Sequence, residues 1–187
     1  MKNDIKEILF SEEVIQKRVK ELGEQISREY AGKPLVLVGT LKGSFVFLAD
    51  LARNIDIECE FQFVSASSYG FSSYSSGRVK IGAEFEVDFV ERDVVLVEDI
   101  LDSGHTLTAL KEFITKNCNP RSFKTCTFLD KPARREKVIT ADYTGFVCPD
   151  EFVVGYGLDF GEKYRNLPYV AVLKPEVFTD ILEKGSD

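Results

Sequence analysis

The sequence predicts an α/β fold in which helices flank a central, mainly parallel sheet. The first observation is two runs of consecutive apolar residues, Val94 to Val97 and Leu35 to Gly39. Such runs are typical of strands that are buried on both faces. The second observation is that each run passes through a short turn bearing glycine into a helical pattern, Leu107 to Ile114 in one case and Phe45 to Ile55 in the other. Strand, turn and helix in this order favour a parallel sheet.

The other elements are predicted from periodicity. Ser11 to Tyr30 places apolar residues at steps of three and four and forms an amphipathic helix with Ser11 as its cap. Ile57 to Val64 alternates apolar and polar residues, which predicts a half-exposed edge strand. Arg134 to Gly145 is expected to be an exposed excursion. The remaining predicted strands are a pair within 78–90 and single strands over Ser122 to Leu129 and Tyr169 to Leu173.

Length and composition limit the class of protein. The 187 residues contain no linker between two hydrophobic blocks, so one domain over residues 1–187 is expected. With 31 acidic against 24 basic residues, the net charge of −7 disfavours a nucleic-acid-binding surface. The charged N-terminal residues and the lack of a long apolar run predict a cytosolic protein without a membrane segment. The four cysteines have neither Cys-x-x-Cys spacing nor a cluster with the single histidine, so no zinc site is expected.

A site that binds anions and a cation or sugar hydroxyls is predicted where the two apolar strands end. Glu98 and Asp99 close one strand, and the loop over residues 102–106 opens the next helix. Free N–H groups and the positive end of the helix dipole suit a phosphate dianion there. Two acids beside a phosphate repel it unless a divalent cation or sugar hydroxyls lie between them, which predicts Mg²⁺ or a ribose diol. The turn over residues 40–44 also opens a helix and predicts a second anion site.

The segment Val97 to Leu107, Val-Glu-Asp-Ile-Leu-Asp-Ser-Gly-His-Thr-Leu, resembles the phosphoribosyl pyrophosphate signature of the type I phosphoribosyltransferases. Its form is close to that of the hypoxanthine-guanine phosphoribosyltransferases. Further motifs match in the family's order, so the resemblance covers nearly the whole chain from Leu35 to Val177. It implies the type I phosphoribosyltransferase fold, with a small hood subdomain built from the N-terminal segment and roughly residues 131–187.

The resemblance implies an enzyme of purine salvage. The reaction is Mg²⁺-dependent transfer of the 5-phosphoribosyl group from 5-phospho-α-D-ribose 1-diphosphate to N9 of hypoxanthine or guanine, which gives IMP or GMP and diphosphate. Asp102 is implied to accept the proton from N7 of the base as N9 attacks C1′. Glu98 and Asp99 are assigned to the ribose hydroxyls and Mg²⁺, with Asp159 near Mg²⁺ and the base. The 5′-phosphate is assigned to the loop of Asp102, Ser103, Gly104, His105 and Thr106.

Diphosphate is assigned by the resemblance to Leu41, Lys42 and Gly43, with a cis peptide between Leu41 and Lys42, and to Arg165. An arginine can bind a diphosphate oxygen pair bidentately, and a lysine is no equal replacement there. Because it is the only histidine, His105 invites a role as general base. A capping or solvent role for its side chain is favoured over that one.

The purine is assigned to Lys131, Phe152, Val153 and Asp159. Lys131 is implied to bind the 6-oxygen of the base, because an ammonium only donates hydrogen bonds and is mismatched with the 6-amino group of adenine. Phe152 is implied to stack on the purine ring, and Val153 to offer backbone polar groups to its edge.

A stretch rich in serine follows the third predicted strand. Residues 65–77 contain seven serines and two glycines, a composition typical of flexible chain. We predict a mobile lid over about residues 65–78 that excludes water from the site. Ser68 and Tyr69 match the Ser-Tyr of the family's flexible loop, and family members form homodimers or homotetramers.

Two alternatives stay open beside this interpretation. Some proteins use the same fold as a nucleotide-responsive regulator that binds nucleic acid, although the acidic balance and the presence of Asp102, Lys131 and Arg165 disfavour that function. A phosphoribosyltransferase selective for xanthine is the second alternative, because the sequence weakly constrains recognition at position 2 of the base. A P-loop kinase is excluded, since the sequence has no Gly-x₄-Gly-Lys-Ser/Thr.

Overall fold

The computed structural model describes residues 1–68, 79–83, 85 and 88–177. Three α-helices and nine strands are found in that part of the chain. In order they are β1 (Ile5–Phe10), α1 (Glu12–Glu29), β2 (Leu35–Leu41), α2 (Phe45–Arg53), β3 (Cys59–Ser68), β4 (Val79–Ala83), β5 (Asp93–Leu101), α3 (His105–Asn117), β6 (Ser122–Asp130), β7 (Tyr143–Val147), β8 (Val153–Val154) and β9 (Val170–Leu173).

A six-stranded sheet with the order β4-β3-β2-β5-β6-β7 forms the centre of the fold. The strands from β3 to β7 in this order are parallel, and only β4 at the edge is antiparallel. The predicted central, mainly parallel sheet is therefore confirmed. Its two middle strands, β2 and β5, are the two apolar runs of the sequence, and their carboxyl ends lie side by side.

The apolar runs are explained by helices on both faces of the sheet. Val95 and Val97 pack in one core cluster with α1 and α2, whereas Val94 and Leu96 pack in a second cluster with α3. Successive residues of a strand point to opposite faces, so a strand covered on both sides has no polar alternation. The predicted helix α1 begins after Ser11, whose hydroxyl accepts the N–H of Val14 as a cap.

A second, antiparallel sheet of three strands joins the two ends of the described chain in the order β1-β9-β8. Its strands carry a small apolar cluster with Val154, Tyr164, Leu167 and Leu173. This sheet lies in the part of the sequence where the hood subdomain is predicted. None of the helices in the described ranges combines the length and the apolar character that crossing a membrane requires.

Three predictions about strands were wrong in part. β3 extends beyond the predicted half-exposed edge strand to Ser68, and β4 pairs with its outer side from Val64 to Ser68. The predicted half-exposed character is present, since Phe61 and Phe63 are exposed. Of the two strands expected within 78–90, β4 is present. The rest of that stretch is described only at residues 85 and 88–90, which are not strand, whereas residues 84, 86 and 87 lie outside the described residues. The expected exposed excursion ends in β7, where parallel pairing with β6 buries Tyr143.

Candidate active site

The loop between β2 and α2 lies against the end of β5. The peptide between Leu41 and Lys42 is cis, as predicted. Gly43 packs directly on the carboxylate of Asp99, so that a Cβ atom there would overlap the acid. The buried Ser44 hydroxyl donates a 2.7 Å hydrogen bond to the carbonyl of Thr40 and closes the turn. The backbone of this loop is thereby presented beside the acids of β5.

The end of β5 leads into a helix N-terminus. Gly104 has φ 89°, a left-handed conformation that favours glycine, and α3 begins at the next residue. The N–H of Thr108 donates to the carbonyl of Gly104 at 3.0 Å. The preceding N–H groups of the helix have no acceptor within it, as at every helix N-terminus. The local geometry therefore suits an anion at the predicted phosphate loop.

A cavity of about 320 Å³ opens between these two loops. It brings together most of the predicted diphosphate, phosphate and metal residues. Its lining includes Leu41, Lys42, Gly43, Glu98, Asp99, Asp102, Ser103, Gly104, Thr106, Asp159 and Arg165. Among the residues predicted to bind phosphate or purine, those that do not line it are Lys131, Phe152, Val153 and His105. The His105 ring instead pairs with Glu136, with 2.7 Å between Nε2 and Oε2.

Several buried polar atoms around this cavity lack a protein partner. In the described part of the chain, six buried side-chain nitrogen or oxygen atoms have no hydrogen bond, and four of them belong to residues that line the cavity. Those four are Thr40 Oγ1, Glu98 Oε1, Asp102 Oδ1 and Arg165 Nε. Because a buried polar atom without a partner is costly, such a concentration marks a place where a ligand supplies the missing contacts.

Burial also changes the acidity of the three acids. Burial and the neighbouring charge of Asp99 raise the pKa of Glu98 well above its usual range. Burial likewise raises the pKa of Asp99 to about 6, although backbone hydrogen bonds oppose the shift. The pKa of Asp102 is raised by burial too, against the opposing charge of Lys131. All three carboxylates would be stabilised by a cation or by hydrogen-bond donors in the cavity.

Two basic residues beside Asp102 come from the segment after β6. Lys131 is buried; its Nζ donates to the carbonyl of Glu151 at 2.8 Å, and its N–H donates to the carbonyl of Leu101 at 2.9 Å. Arg134 lies 3.7 Å from the Asp102 carboxylate. Lys131 is thus held at the end of β5, next to the proposed catalytic acid.

Sequence reasoning missed the role of Arg135, which was placed in an exposed excursion. Its guanidinium is largely buried and donates to the carbonyls of Leu101 and Asp102 at 3.1 and 2.8 Å, and it pairs with Asp130. The backbone of the same segment also bonds to Ser103. Arg135 therefore holds the phosphate loop in place. No local pattern distinguishes Arg135 from Arg134, because its contacts with the phosphate loop are tertiary contacts between segments that are distant in the sequence.

The cationic residues of the predicted diphosphate site are paired with acids of one turn. Arg165 Nη2 lies 2.9 Å from Asp159 and 3.5 Å from Glu162. Lys42 Nζ lies 3.1 Å from Glu162. Asp159 also accepts the N–H of Glu162 at 2.8 Å. The pair of Lys42 with Glu162 is exposed and therefore weak and exchangeable. The pair of Arg165 with Asp159 is more buried, and Asp159 is bonded on both oxygens.

The predicted purine residues lie on the side of the second sheet. Val153 starts β8 and is buried. Phe152 is 39% exposed and packs edge-to-face against Phe160, with 5.3 Å between ring centroids. A half-exposed aromatic ring can stack on a base, which a core residue cannot. Ser68 is the last residue of β3, whereas Tyr69 and the rest of the predicted lid to residue 78 lie outside the described residues.

No group of three or more acidic, histidine or cysteine side chains within the described ranges is arranged to hold a metal ion by itself. The two carboxylates that do stand together, Glu98 and Asp99, provide the oxygen ligands that Mg²⁺ prefers. Mg²⁺ is commonly held by one or two carboxylates together with substrate phosphates and water. The donor set therefore fits Mg²⁺ brought in with a phosphorylated substrate.

Comparison with known proteins agrees with this geometry. A family model described as a phosphoribosyl transferase domain matches residues 6–161. The hypoxanthine-guanine phosphoribosyltransferase of Bacillus subtilis is 49% identical over 95% of this chain and 98% of its own length. The crystal structure of a hypoxanthine phosphoribosyltransferase from Staphylococcus aureus superposes with a TM-score of 0.90 at 48% identity, covering 95% of this chain and 96% of that one.

A longer relative contains a similar region. The bifunctional protein TilS/HprT of Listeria innocua is 48% identical over 96% of this chain, which spans 28% of that protein. The chain belongs to the phosphoribosyl transferase family. Within that family it belongs with the hypoxanthine-guanine phosphoribosyltransferases, which it matches at nearly full length.

Proposed function

We propose that this protein is a hypoxanthine-guanine phosphoribosyltransferase of purine salvage. It transfers the 5-phosphoribosyl group from 5-phospho-α-D-ribose 1-diphosphate to N9 of hypoxanthine or guanine and produces IMP or GMP and diphosphate. The observation that carries the proposal is the cavity at the carboxyl ends of β2 and β5. There a glycine loop, an acid pair with an unpartnered oxygen and a helix N-terminus face one space.

Asp102 is the proposed general base. N9 of the purine attacks C1′ while the C1′–O bond to diphosphate breaks, and the proton on N7 moves to Asp102. The pKa of Asp102 is raised by burial, which brings the carboxylate closer to the basicity that proton transfer near neutral pH requires. Its Oδ1 is buried without a partner and is available to accept the proton.

The phosphates are proposed to bind the two loops. The 5′-phosphate accepts hydrogen bonds from the backbone of residues 103–106 at the start of α3. Diphosphate binds the backbone of residues 41–43 and the side chains of Lys42 and Arg165, which leave Glu162 to do so. These cations neutralise the charge that develops on the departing diphosphate. Arg134 and Arg135 contribute by fixing Asp102 and the backbone next to it.

Glu98 and Asp99 are the residues that would hold Mg²⁺ and the ribose hydroxyls. Bound there, the ion would lower the repulsion between two buried carboxylates and an anionic substrate. Asp159 is proposed to lie near the ion and the base rather than to be its main ligand, because both of its oxygens are bonded to the protein.

The base is proposed to bind between Lys131 and Phe152. Lys131 donates to the 6-oxygen, Phe152 stacks on the ring, and the backbone at Val153 contacts the edge that carries the 2-substituent. Lys131 is close enough to the end of β5 to do this beside Asp102, because its N–H bonds to Leu101. Adenine, which has an amino group in place of the 6-oxygen, is disfavoured.

The remaining parts of the proposal concern the whole molecule. The chain acts as one domain with the second sheet as a hood, and it assembles as a homodimer or homotetramer. The first four residues of the predicted lid, 65–68, belong to β3 and pair with β4, so the lid is proposed to begin after Ser68 and to reach residue 78. Its cysteines in the described chain are free thiols, which is typical of a reducing compartment, and we place the reaction in the cytoplasm.

The test is release of diphosphate from the phosphoribosyl donor with Mg²⁺, measured separately with hypoxanthine, guanine, xanthine and adenine. Turnover is expected with hypoxanthine and guanine and little with adenine, and Asp102→Ala is expected to lose most of kcat. Preference for xanthine would support the selective alternative. Tight nucleotide binding without turnover of any base would contradict the enzyme and favour the nucleotide-responsive regulator.

A further inference from the structure

Asp50 connects the proposed diphosphate loop to a distant turn. It lies on α2, the helix that begins directly after the loop, and it is buried. Its Oδ2 accepts hydrogen bonds from the Tyr156 hydroxyl at 2.7 Å and from Gln16 at 2.9 Å, and its Oδ1 pairs with Arg53. The charge of this acid is therefore compensated, and its position is fixed relative to the loop by the helix.

Tyr156 lies in a tight turn that is hydrogen-bonded to Arg165. The residue is buried with φ 51° and stands between two glycines with positive φ. Its N–H donates to Leu167 at 2.9 Å, and the N–H of Gly157 donates to the carbonyl of Arg165 at 2.9 Å. The carbonyl of Gly157 in turn accepts a 2.8 Å hydrogen bond from the Arg165 guanidinium. The turn therefore holds Arg165 by its backbone and by its side chain.

The same turn touches the diphosphate loop. Gly157 has φ 100°, and a Cβ atom there would overlap the carbonyl oxygen of Gly43. It would also lie 3.7 Å from the Cβ of Val46 at the start of α2. The turn thus lies between the two parts of the proposed diphosphate site, the loop on one side and the guanidinium on the other.

We propose that Tyr156 and Asp50 are positioning residues for the diphosphate site. This inference rests on the proposed function and deepens it. The hydroxyl of Tyr156 ties the turn to α2, so it sets the spacing between the backbone at Gly43 and the guanidinium of Arg165. Neither side chain contacts substrate. Both act through the turn, which must present a cation and a backbone loop to the same anion.

The fold provides a matched control for a purely structural role. Tyr143 is also buried, and its hydroxyl donates to the carboxylate of Glu29. This pair joins the last residue of α1 to the first residue of β7, and neither residue lines the proposed cavity. Tyr156→Phe and Tyr143→Phe therefore remove the same kind of hydrogen bond, one in the turn that touches the diphosphate loop and one between residues that do not line the cavity.

The measurement is calorimetric titration of inorganic diphosphate with Mg²⁺ into the full chain. Tyr156→Phe is expected to weaken diphosphate binding by about fivefold to tenfold, which lies within the net contribution of a single hydrogen bond. The KM for the phosphoribosyl donor should rise by the same factor, whereas the KM for hypoxanthine should stay unchanged. Tyr143→Phe is expected to leave all three values as in the native protein. Melting temperatures show whether the two variants lose comparable stability.

Variants of Asp50 provide a rescue test. Asp50→Asn keeps an oxygen acceptor for the hydroxyl and should retain most of the diphosphate affinity, whereas Asp50→Ala should lose as much as Tyr156→Phe. Combining Asp50→Ala with Tyr156→Phe should add little, because both remove one interaction. If Asp50→Ala does not fold, the comparison of Tyr156→Phe with Tyr143→Phe remains decisive.

Native diphosphate affinity in Tyr156→Phe, with a loss of melting temperature like that of Tyr143→Phe, would overturn the inference. Failure of the proposed function has a different signature. A native protein that turns over no base would contradict the enzyme, and the diphosphate titration would still report whether Tyr156 positions the anion site.

Discussion

The two ends of β5 both bury acids, but only one end neutralises them within the protein. At the amino end, the Asp93 carboxylate pairs with Arg121 and accepts a 2.6 Å hydrogen bond from Ser122, and the guanidinium of Arg121 lowers its pKa. At the carboxyl end, Glu98 and Asp99 make no ion pair within the described chain, and burial raises the pKa of both. The first arrangement serves stability, whereas the second leaves compensation to a ligand.

The largest expected effect concerns activity at the carboxyl end. Asp102→Asn preserves the size of the side chain and removes the proposed proton acceptor, so kcat should fall by about 10²-fold to 10⁴-fold. The melting temperature should change little, because the carboxylate has an unpartnered buried oxygen and lies 3.7 Å from Arg134. Steady-state kinetics and thermal unfolding measure the two quantities. A native kcat in this variant would refute the assignment of Asp102.

The next largest effect concerns the free energy of unfolding, which substitutions at the two ends of β5 should change in opposite directions. Asp93→Asn keeps a partner for Ser122 but loses the charge that faces Arg121, which should cost about 2 kcal/mol of unfolding free energy. Asp99→Asn removes the charge of a partly buried carboxylate next to the buried Glu98 and should stabilise the free protein by about 1 kcal/mol. Denaturant unfolding at pH 7 measures both. Activity should survive the first substitution and fall with the second, and equal losses of stability would remove the distinction between the two ends.

The pH dependence of stability should have opposite signs at the two ends. Folding raises the pKa of Asp99 from 3.8 to about 6, so the folded state binds its proton more tightly and stability falls as the pH rises through that range. The advantage of Asp99→Asn should therefore be small near pH 4 and grow up to about pH 7. Folding lowers the pKa of Asp93, so its stabilising contribution is present above 3.8 and is lost as the pH falls below that value.

Thermal unfolding of the native protein and both variants between pH 4 and pH 8 checks these signs. Above pH 4 the loss caused by Asp93→Asn should be nearly constant, while the gain from Asp99→Asn increases. A gain that is independent of pH would show that the stabilisation comes from packing and not from charge.

The smallest effect concerns the cations of the proposed diphosphate site. Glu162 faces both Lys42 and Arg165 on the surface, where ion pairs are weak. Glu162→Gln frees Lys42 and leaves Arg165 paired with Asp159 alone among the acids, so diphosphate affinity should improve by about twofold to threefold. Calorimetry at two salt concentrations measures this, and the gain should shrink at the higher one. Weaker binding in the variant would mean that Glu162 orients the cations instead of competing for them.

The central strands and the phosphate loop could be predicted from the sequence, because the signals that reveal them are local. Apolar runs reveal β2 and β5, and the acids, glycines and helix pattern that follow β5 reveal a phosphate loop. The resemblance adds roles for Lys131 and Arg165 and correctly predicts the cis peptide after Leu41. Each apolar run lies within a few residues of the glycine turn or the acids that follow it.

What the sequence does not predict depends on contacts between distant segments. Arg135 holds the phosphate loop from 33 residues away, and Tyr156 bonds to Asp50 across 106 residues. An arginine in a polar segment and a tyrosine between glycines have no local pattern that reveals these partners. The pairing of β4 with β3 beyond Val64 was missed for a similar reason, because alternation within one strand does not reveal its neighbour.

The central claim is that the carboxyl end of β5 is completed by the ribose and phosphates of the substrate. The most direct test is calorimetric titration of 5-phospho-α-D-ribose 1-diphosphate with Mg²⁺, without base, into the native protein and into Glu98→Gln/Asp99→Asn. The native protein should bind, and the double variant should lose at least about tenfold in affinity while unfolding at an equal or higher temperature. Equal affinity in the two proteins would contradict the claim.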